Sequence, residues 1–182
     1  MRNSVGAALL VVAIGTGACG VTTHAVTTPS SSGTSPSSST TTAKPVAHVG
    51  STLNFSGQGN SQYSVRLMQV IDPAQGADQY TTPNPGDRFV ATLFSITAGA
   101  QAVSGDANLN ASAIGSNGQS YTADFNSVSE CTNFNGGDYQ IVAHQTETGC
   151  VVFQVPTGTS VAKVQWAPSG GFSNSFGQWL VP

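Results

Sequence analysis

The sequence is poor in charge: 5 Lys or Arg and 8 Asp or Glu, together 7% of 182 residues, against about a quarter in ordinary soluble domains. That argues against a helical bundle laced with surface ion pairs. With so few cations there is no basic patch to release counterions from a phosphate backbone, so nucleic acid is not an expected partner. A polybasic segment for anionic lipid is missing for the same reason. Long apolar runs are lacking too, and no stretch reaches the roughly 20 residues that a membrane-spanning helix needs. What is abundant is Gly (21) and Pro (9), with many Ser, Thr, Asn and Gln. Such a composition favours short strands joined by turns, an all-β chain.

The N-terminus reads as an export signal. Met1-Arg2-Asn3 is a short positive region, Val5 to Ile14 is apolar, and Gly15-Thr16-Gly17-Ala18 places small residues before Cys19. The apolar run is of signal-peptide length. A Cys at the cleavage point resembles a bacterial lipobox, although Thr16 and Gly17 stand where Leu and Ala or Ser are commonest. Residues 1–18 are then a lipoprotein signal peptide, and Cys19 carries the lipid (acyl chains such as palmitate). Two or more chains anchor stably, since each buried methylene contributes about 0.8 kcal/mol. The alternative is a plain signal peptide cleaved nearby. Cysteine arithmetic favours the lipid: of three Cys, acylation of Cys19 leaves two free to pair.

Residues 19–48 form the expected linker. From Thr27 to Thr42, all but Pro29, Gly33 and Pro36 are Ser or Thr. Such a tract has nothing to bury against its ordering entropy and is expected to be disordered. About 30 residues of flexible coil reach roughly 30 Å, which suits a tether open to O-glycosylation. His24 and His48 flank it as solvated side chains.

Residues 49–182 are the expected folded domain, of a size that suits a two-sheet sandwich. Strands are predicted near Ser51–Phe55, Tyr63–Ile71, Arg88–Thr97, Asn108–Ile114, Gln119–Phe125, Gly149–Val155, Lys163–Trp166 and Gln178–Val181. Val151, Phe153 and Val155 alternate with Val152 and Gln154, and Pro156 ends the run. Ala162, Val164 and Trp166 alternate likewise, the period of a sheet with one face inward. Phe89–Ile96 is apolar on both faces, as in a central strand. Ser116-Asn117-Gly118-Gln119 predicts a hairpin with a type I′ turn. Cys131 and Cys150 bracket a polar, Gly-rich segment and are expected to pair in an oxidising compartment, which stabilises by about 3 kcal/mol through loop closure.

Four segments in order carry a resemblance: Val65-Arg66-Leu67-Met68-Gln69-Val70-Ile71-Asp72-Pro73, Gly86-Asp87-Arg88-Phe89-Val90, Asn117-Gly118-Gln119-Ser120-Tyr121 and Gly149-Cys150-Val151-Val152-Phe153-Gln154-Val155-Pro156. Together they resemble the immunoglobulin-like secreted or lipid-anchored domains of actinobacteria and related Gram-positive bacteria. That group includes the small immunoprotective extracellular antigens of mycobacteria and a widespread domain of unknown function. The resemblance implies an immunoglobulin-like β-sandwich of two antiparallel sheets, placement outside the membrane and no enzymatic activity. It supplies no catalytic residues to carry over. The Cys131–Cys150 pair and the insertion Gly171–Gly177 depart from the plainest pattern.

Chemical motifs are sparse. Asp106-x-Asn108-x-Asn110 begins like a calcium loop, but Ala111 and Asn117 replace the Gly and Glu that an EF-hand needs. Asp72, Asp78 and Asp87 are expected to serve turns rather than a looser cation site. There is no H-E-x-x-H and no G-x-S-x-G, and one His in the domain is too few for zinc. Arg66 and Asp124 could pair between sheets. Phe172, Phe176 and Trp179, with Leu180, form an apolar run that either packs inward or offers a contact face. The expected function is therefore a non-enzymatic, lipid-anchored cell-envelope protein displaying its domain to an envelope protein, glycan or lipid, with no cofactor and no metal. Two alternatives are an enzyme with a dispersed site around His144, Glu147 and Asp138, and a passive structural or antigenic surface protein.

Overall fold

The structure, a computed structural model, describes residues 24–25, 46–172 and 175–182. The signal peptide, Cys19 and the Thr27–Thr42 tract lie outside the described residues, as do two positions of the Gly171–Gly177 insertion. The strands in chain order are β1 (His24–Ala25), β2 (Ala47–His48), β3 (Thr52–Ser56), β4 (Gln62–Ala74), β5 (Asp87–Ala98) and β6 (Val103–Asp106). After a helical turn, α1 (Ala107–Asn110), follow β7 (Ala111–Gly115), β8 (Ser120–Asp124), β9 (Asp138–Ile141), β10 (Thr146–Pro156), β11 (Val161–Trp166) and β12 (Ser175–Leu180). In the described stretch that starts at Val46, strand pairing begins at Ala47, two residues before Val49.

One layer runs β3-β4-β5-β10 and the other β12-β11-β7, and β8 belongs to both. Its first half, Ser120–Thr122, pairs with β7, and its second half, Ala123 and Asp124, pairs with β10. The expectation of two antiparallel sheets is therefore modified. The layers are one continuous ladder bent at β8, with a separate β6-β9 ribbon, and β1 and β2 join β12 in parallel. At the far side β3 and β12 nearly meet: a Cβ on Gly177 would lie 2.6 Å from Leu53 Cδ1 and 2.7 Å from Phe55 Cζ. Only Gly lets the layers come so close.

Alternation explains which side chains lie between the layers. Val151, Phe153 and Val155 of β10 point inward with Val90, Phe94 and Ile96 of β5, against Val164, Trp166 and Trp179. The opposite face of β5 and β10 carries a second cluster, Phe89, Ala91 and Val152, covered by Ala74 and Val128. That is why β5 reads as apolar on both faces. The cover is the segment after β8, held by the Cys131–Cys150 disulfide (Cα–Cα 6.1 Å) and by bonds from Ala77 N to Ser127 O and from Ser129 N to Gln75 O.

Two indoles tie the layers together. Trp166 Nε1 donates to Tyr63 Oη at 3.2 Å, and Trp179 Nε1 donates to the carbonyl of Ser51 at 2.9 Å. A buried Trp needs a partner for its N–H, and here each partner stands on the other layer.

Three local expectations are corrected. Asn108–Asn110 is not strand: Asp106 Oδ1 accepts from Leu109 N at 3.1 Å and caps α1, the Asx preference for helix starts overriding a weak alternation. The hairpin turn is not type I′, because Gly118 alone takes a positive φ (79°). Gly118 N donates to Gly115 O, and Asn117 Oδ1 accepts from Gln119 N, which gives a three-residue loop with a glycine bulge. Arg66 does not meet Asp124: its Nε donates to Gly50 O, while Asp124 accepts from Asn126 and Gln154.

Candidate functional site

Each residue singled out from the sequence has a place. Trp179 is fully buried, Phe176 is half-buried on β12, and Phe172 is 95% exposed. The three do not make one face, since the strand pleat sends Trp179 into the core while Phe172 stands on the preceding loop. His144 sits on an exposed turn at φ 63°, and its backbone N–H donates to Gly99 O. Among the described residues its ring makes no hydrogen bond to Glu147, to Asp138 or to anything else. Asp78 Oδ1 accepts from Tyr80 N, Thr81 N and Thr81 Oγ1, a turn role whose bonds hold its carboxyl below the usual carboxylate range. Asp72 pairs with Arg88. No group of three His, Cys, Asp or Glu able to hold a metal occurs among the described residues.

The structure instead assembles a site that the sequence reading missed. At the end of the sandwich where β4 begins, a cavity of about 140 Å³ opens between the Gly57–Gln58 turn, β6, α1 and the turn at Pro168–Gly170. Its floor is Tyr63 from β4, Tyr139 from β9 and Asn110 from α1, all buried. Asn110 Nδ2 donates to Tyr139 Oη at 3.1 Å, and Asn110 Oδ1 accepts from Gly170 N at 2.9 Å. Trp166 Nε1 reaches Tyr63 Oη from below, and the Tyr63 and Tyr139 phenols are near enough to influence each other's ionisation. Gly105 is glycine for a plain reason: a Cβ there would fall 2.5 Å from Tyr139 Oη.

Burial holds both phenols above the ordinary tyrosine range, outweighing the Trp166 bond at Tyr63, and the neighbouring Tyr63 and Asp106 push Tyr139 further up. Both therefore remain neutral hydroxyls at physiological pH. The rings rest on an aromatic base, with Tyr63 stacked on Phe55 at 5.7 Å and Tyr139 at 6.1 Å from Trp166. The rim is unusual: Asn60 and Ser169 hold positive φ of 61° and 58°, where residues with a Cβ are uncommon. Such backbone concentrates at recognition sites. The arrangement offers fixed neutral hydrogen-bonding groups in a concave, half-apolar setting. It presents no nucleophile paired with a base.

An all-β sandwich bearing an end cavity is the class that fold and site define. The secreted protein MPT63 from Mycobacterium tuberculosis has a similar fold: TM-score 0.52 at 17% identity, over 75% of this chain and 97% of that one. The ycdA protein of Bacillus subtilis gives TM-score 0.49 at 10% identity, over 70% of this chain and 38% of that one. An uncharacterized β-sandwich protein from Clostridium difficile gives 0.43 at 10% identity, over 81% and 100%. No family model matches the chain, and no curated protein matches its sequence.

Proposed function

We propose that this is a non-enzymatic cell-envelope protein, lipid-anchored through Cys19, that displays an immunoglobulin-like domain of the group its motifs resemble for recognition of an envelope component. The observation that carries the reading is the cavity floored by Tyr63, Tyr139 and Asn110 at one end of a rigid two-layer scaffold. Loops at the end of a sandwich are a common place for recognition, and fixed, buried supports beneath them reduce the ordering cost of binding. The signal-like N-terminus and the Ser/Thr tract support display outside the membrane. No helix among the described residues is long and apolar enough to cross a membrane.

Two measurements test the reading. Intact mass of protein extracted from membranes is expected to show acyl chains on a mature N-terminus at Cys19, and an unacylated product cleaved elsewhere would defeat the anchor. Full-length protein immobilised and exposed to envelope extract is expected to retain a partner reproducibly. Retention of nothing, from protein, glycan and lipid fractions alike, would defeat the recognition role.

A further inference from the structure

The floor of the cavity holds one hydrogen-bond donor too many. Asn110 Nδ2 donates to Tyr139 Oη, and Trp166 Nε1 donates to Tyr63 Oη. Asn110 cannot be turned round to help, because its Oδ1 accepts from Gly170 N. An indole N–H and an amide NH₂ only donate, so the acceptors in the cluster are the two phenolic oxygens. Two hydroxyls can share only one proton between them, so at least one phenolic O–H has no acceptor among the described residues. Tyr63 and Tyr139 are 4% and 2% exposed, and both line the cavity. A buried donor without a partner is costly, so an acceptor entering the cavity completes the network.

Size and charge narrow the class of that acceptor. The cavity has a volume of about 140 Å³. It is smaller than the roughly 300–1,000 Å³ of pockets that enclose drug-sized ligands, so it suits one small ring. Asp106 lies in the wall, with no Lys, Arg or His beside it, so an anion would face a carboxylate with no counter-charge. An ammonium group carries only donors and cannot take the surplus hydrogen. A wholly apolar guest would leave the network incomplete. Neutral molecules with acceptor oxygens remain.

The rim adds the second requirement. Leu109 is 68% and Phe172 95% exposed, and both stand beside Gly170, whose added Cβ would lie 3.8 Å from Leu109 Cβ and 3.9 Å from Phe172 Cδ2. Gln58, Ser104 and Ser169 supply polar groups around the same mouth. Apolar rim, polar wall and donor floor match a pyranose, which carries hydroxyls at its edge and C–H bonds on its faces. We propose that the cavity seats one uncharged sugar unit, with an oxygen of the sugar accepting the surplus phenolic hydrogen and a C–H face against Leu109 and Phe172. This rests on the recognition reading above and names its ligand class.

The test is an amide-shift titration of isotopically labelled full-length protein with four neutral probes: the methyl pyranosides of glucose, mannose and galactose, and N-acetylglucosamine. Glucuronate serves as the charged control. At least one neutral sugar is expected to give saturable shifts at Gly105, Asn110, Ser169 and Gly170, with glucuronate at least tenfold weaker. Phe172→Ala, at an exposed position that leaves the core untouched, is expected to weaken binding about two- to tenfold, the range of an aromatic contact. No saturable shift with any probe, meaning a cavity that holds water only, overturns the proposal, as does glucuronate binding as tightly as glucose. The recognition reading fails separately. Capture of an envelope component that survives Phe172→Ala and is not competed by these sugars sinks the sugar alone, whereas absence of any capture sinks both.

Discussion

The two ends of the sandwich treat their hydrogen-bond donors in opposite ways. Where β5 starts and β10 stops, Arg88 makes four hydrogen bonds with its five N–H donors. Its Nε and Nη2 grip Asp72, its Nη1 donates to Pro156 O at 2.6 Å, and Nη2 also reaches Thr159 O at 2.9 Å. Bidentate pairing of this kind fixes geometry as well as charge. At that end the chain supplies its own partners to the cation. At the other end, Tyr63, Tyr139, Asn110 and Trp166 form a more deeply buried network whose donors outnumber its acceptors. Both ends are polar clusters in an otherwise apolar domain. What separates scaffold from site is whether the chain itself supplies every partner.

Three experiments can break or sharpen this contrast. The largest effect is expected at the closed end. Arg88→Met keeps much of the aliphatic stem but leaves Asp72, Pro156 O and Thr159 O without their donor, and should lower the free energy of urea unfolding by about 2–3 kcal/mol, as loss of charge-assisted bonds does. An unchanged midpoint would mean that this end is not a structural clamp. At the open end, Tyr139→Phe removes one acceptor and one donor from a network already in surplus. It should cost about 1 kcal/mol by the same unfolding measurement, clearly less than Arg88→Met, and a larger loss would make the cavity floor a clamp too.

The smallest effect concerns Glu130, whose Oε1 accepts from Gln75 N at 2.8 Å beside the closed end. Desolvation pushes its carboxyl up, but the bonds from Gln75, its own amide and Ser129 together outweigh it and hold the group below the ordinary carboxylate range. A carboxyl held low in the folded state contributes stability above its unfolded value and loses it as pH falls through the folded one. The Gln75 amide resonance should therefore titrate with a midpoint below the ordinary Glu value. A midpoint at or above that value would remove Glu130 from the closed end's set of satisfied groups.

Much of the scaffold was legible because strand alternation is local. Val151, Phe153 and Val155 announce the inward face of β10, and the two-sided apolarity of Phe89–Ile96 announces a strand covered twice. β6 and β9 were not legible: Val103-Ser104-Gly105-Asp106 has one apolar residue, and the pairing with Asp138–Ile141 is fixed by tertiary contact rather than by either run. The cavity escaped for the same reason. Tyr63 and Trp166 lie 103 positions apart, and nothing near either residue signals the other. Phe172 was singled out with Trp179, yet only the pleat and the core decide that Phe172 stands at a rim while Trp179 fills the centre. A short Asx-capped turn such as α1 is legible at its Asp106 cap, but here the alternation of Leu109, Ala111 and Ala113 pointed elsewhere.

The shared strand β8 makes the domain a book bound along one edge. Its spine is a chain segment that hydrogen-bonds to both covers, so the covers cannot slide past each other there without breaking backbone ladders. The opposite fore-edge, between β3 and β12, is held by apolar contact at Gly177 and by the clasp of Trp179 on Ser51. Any loosening of the fold consequently pivots on β8 and opens at β3 and β12, beside the strand through which the N-terminal segment enters.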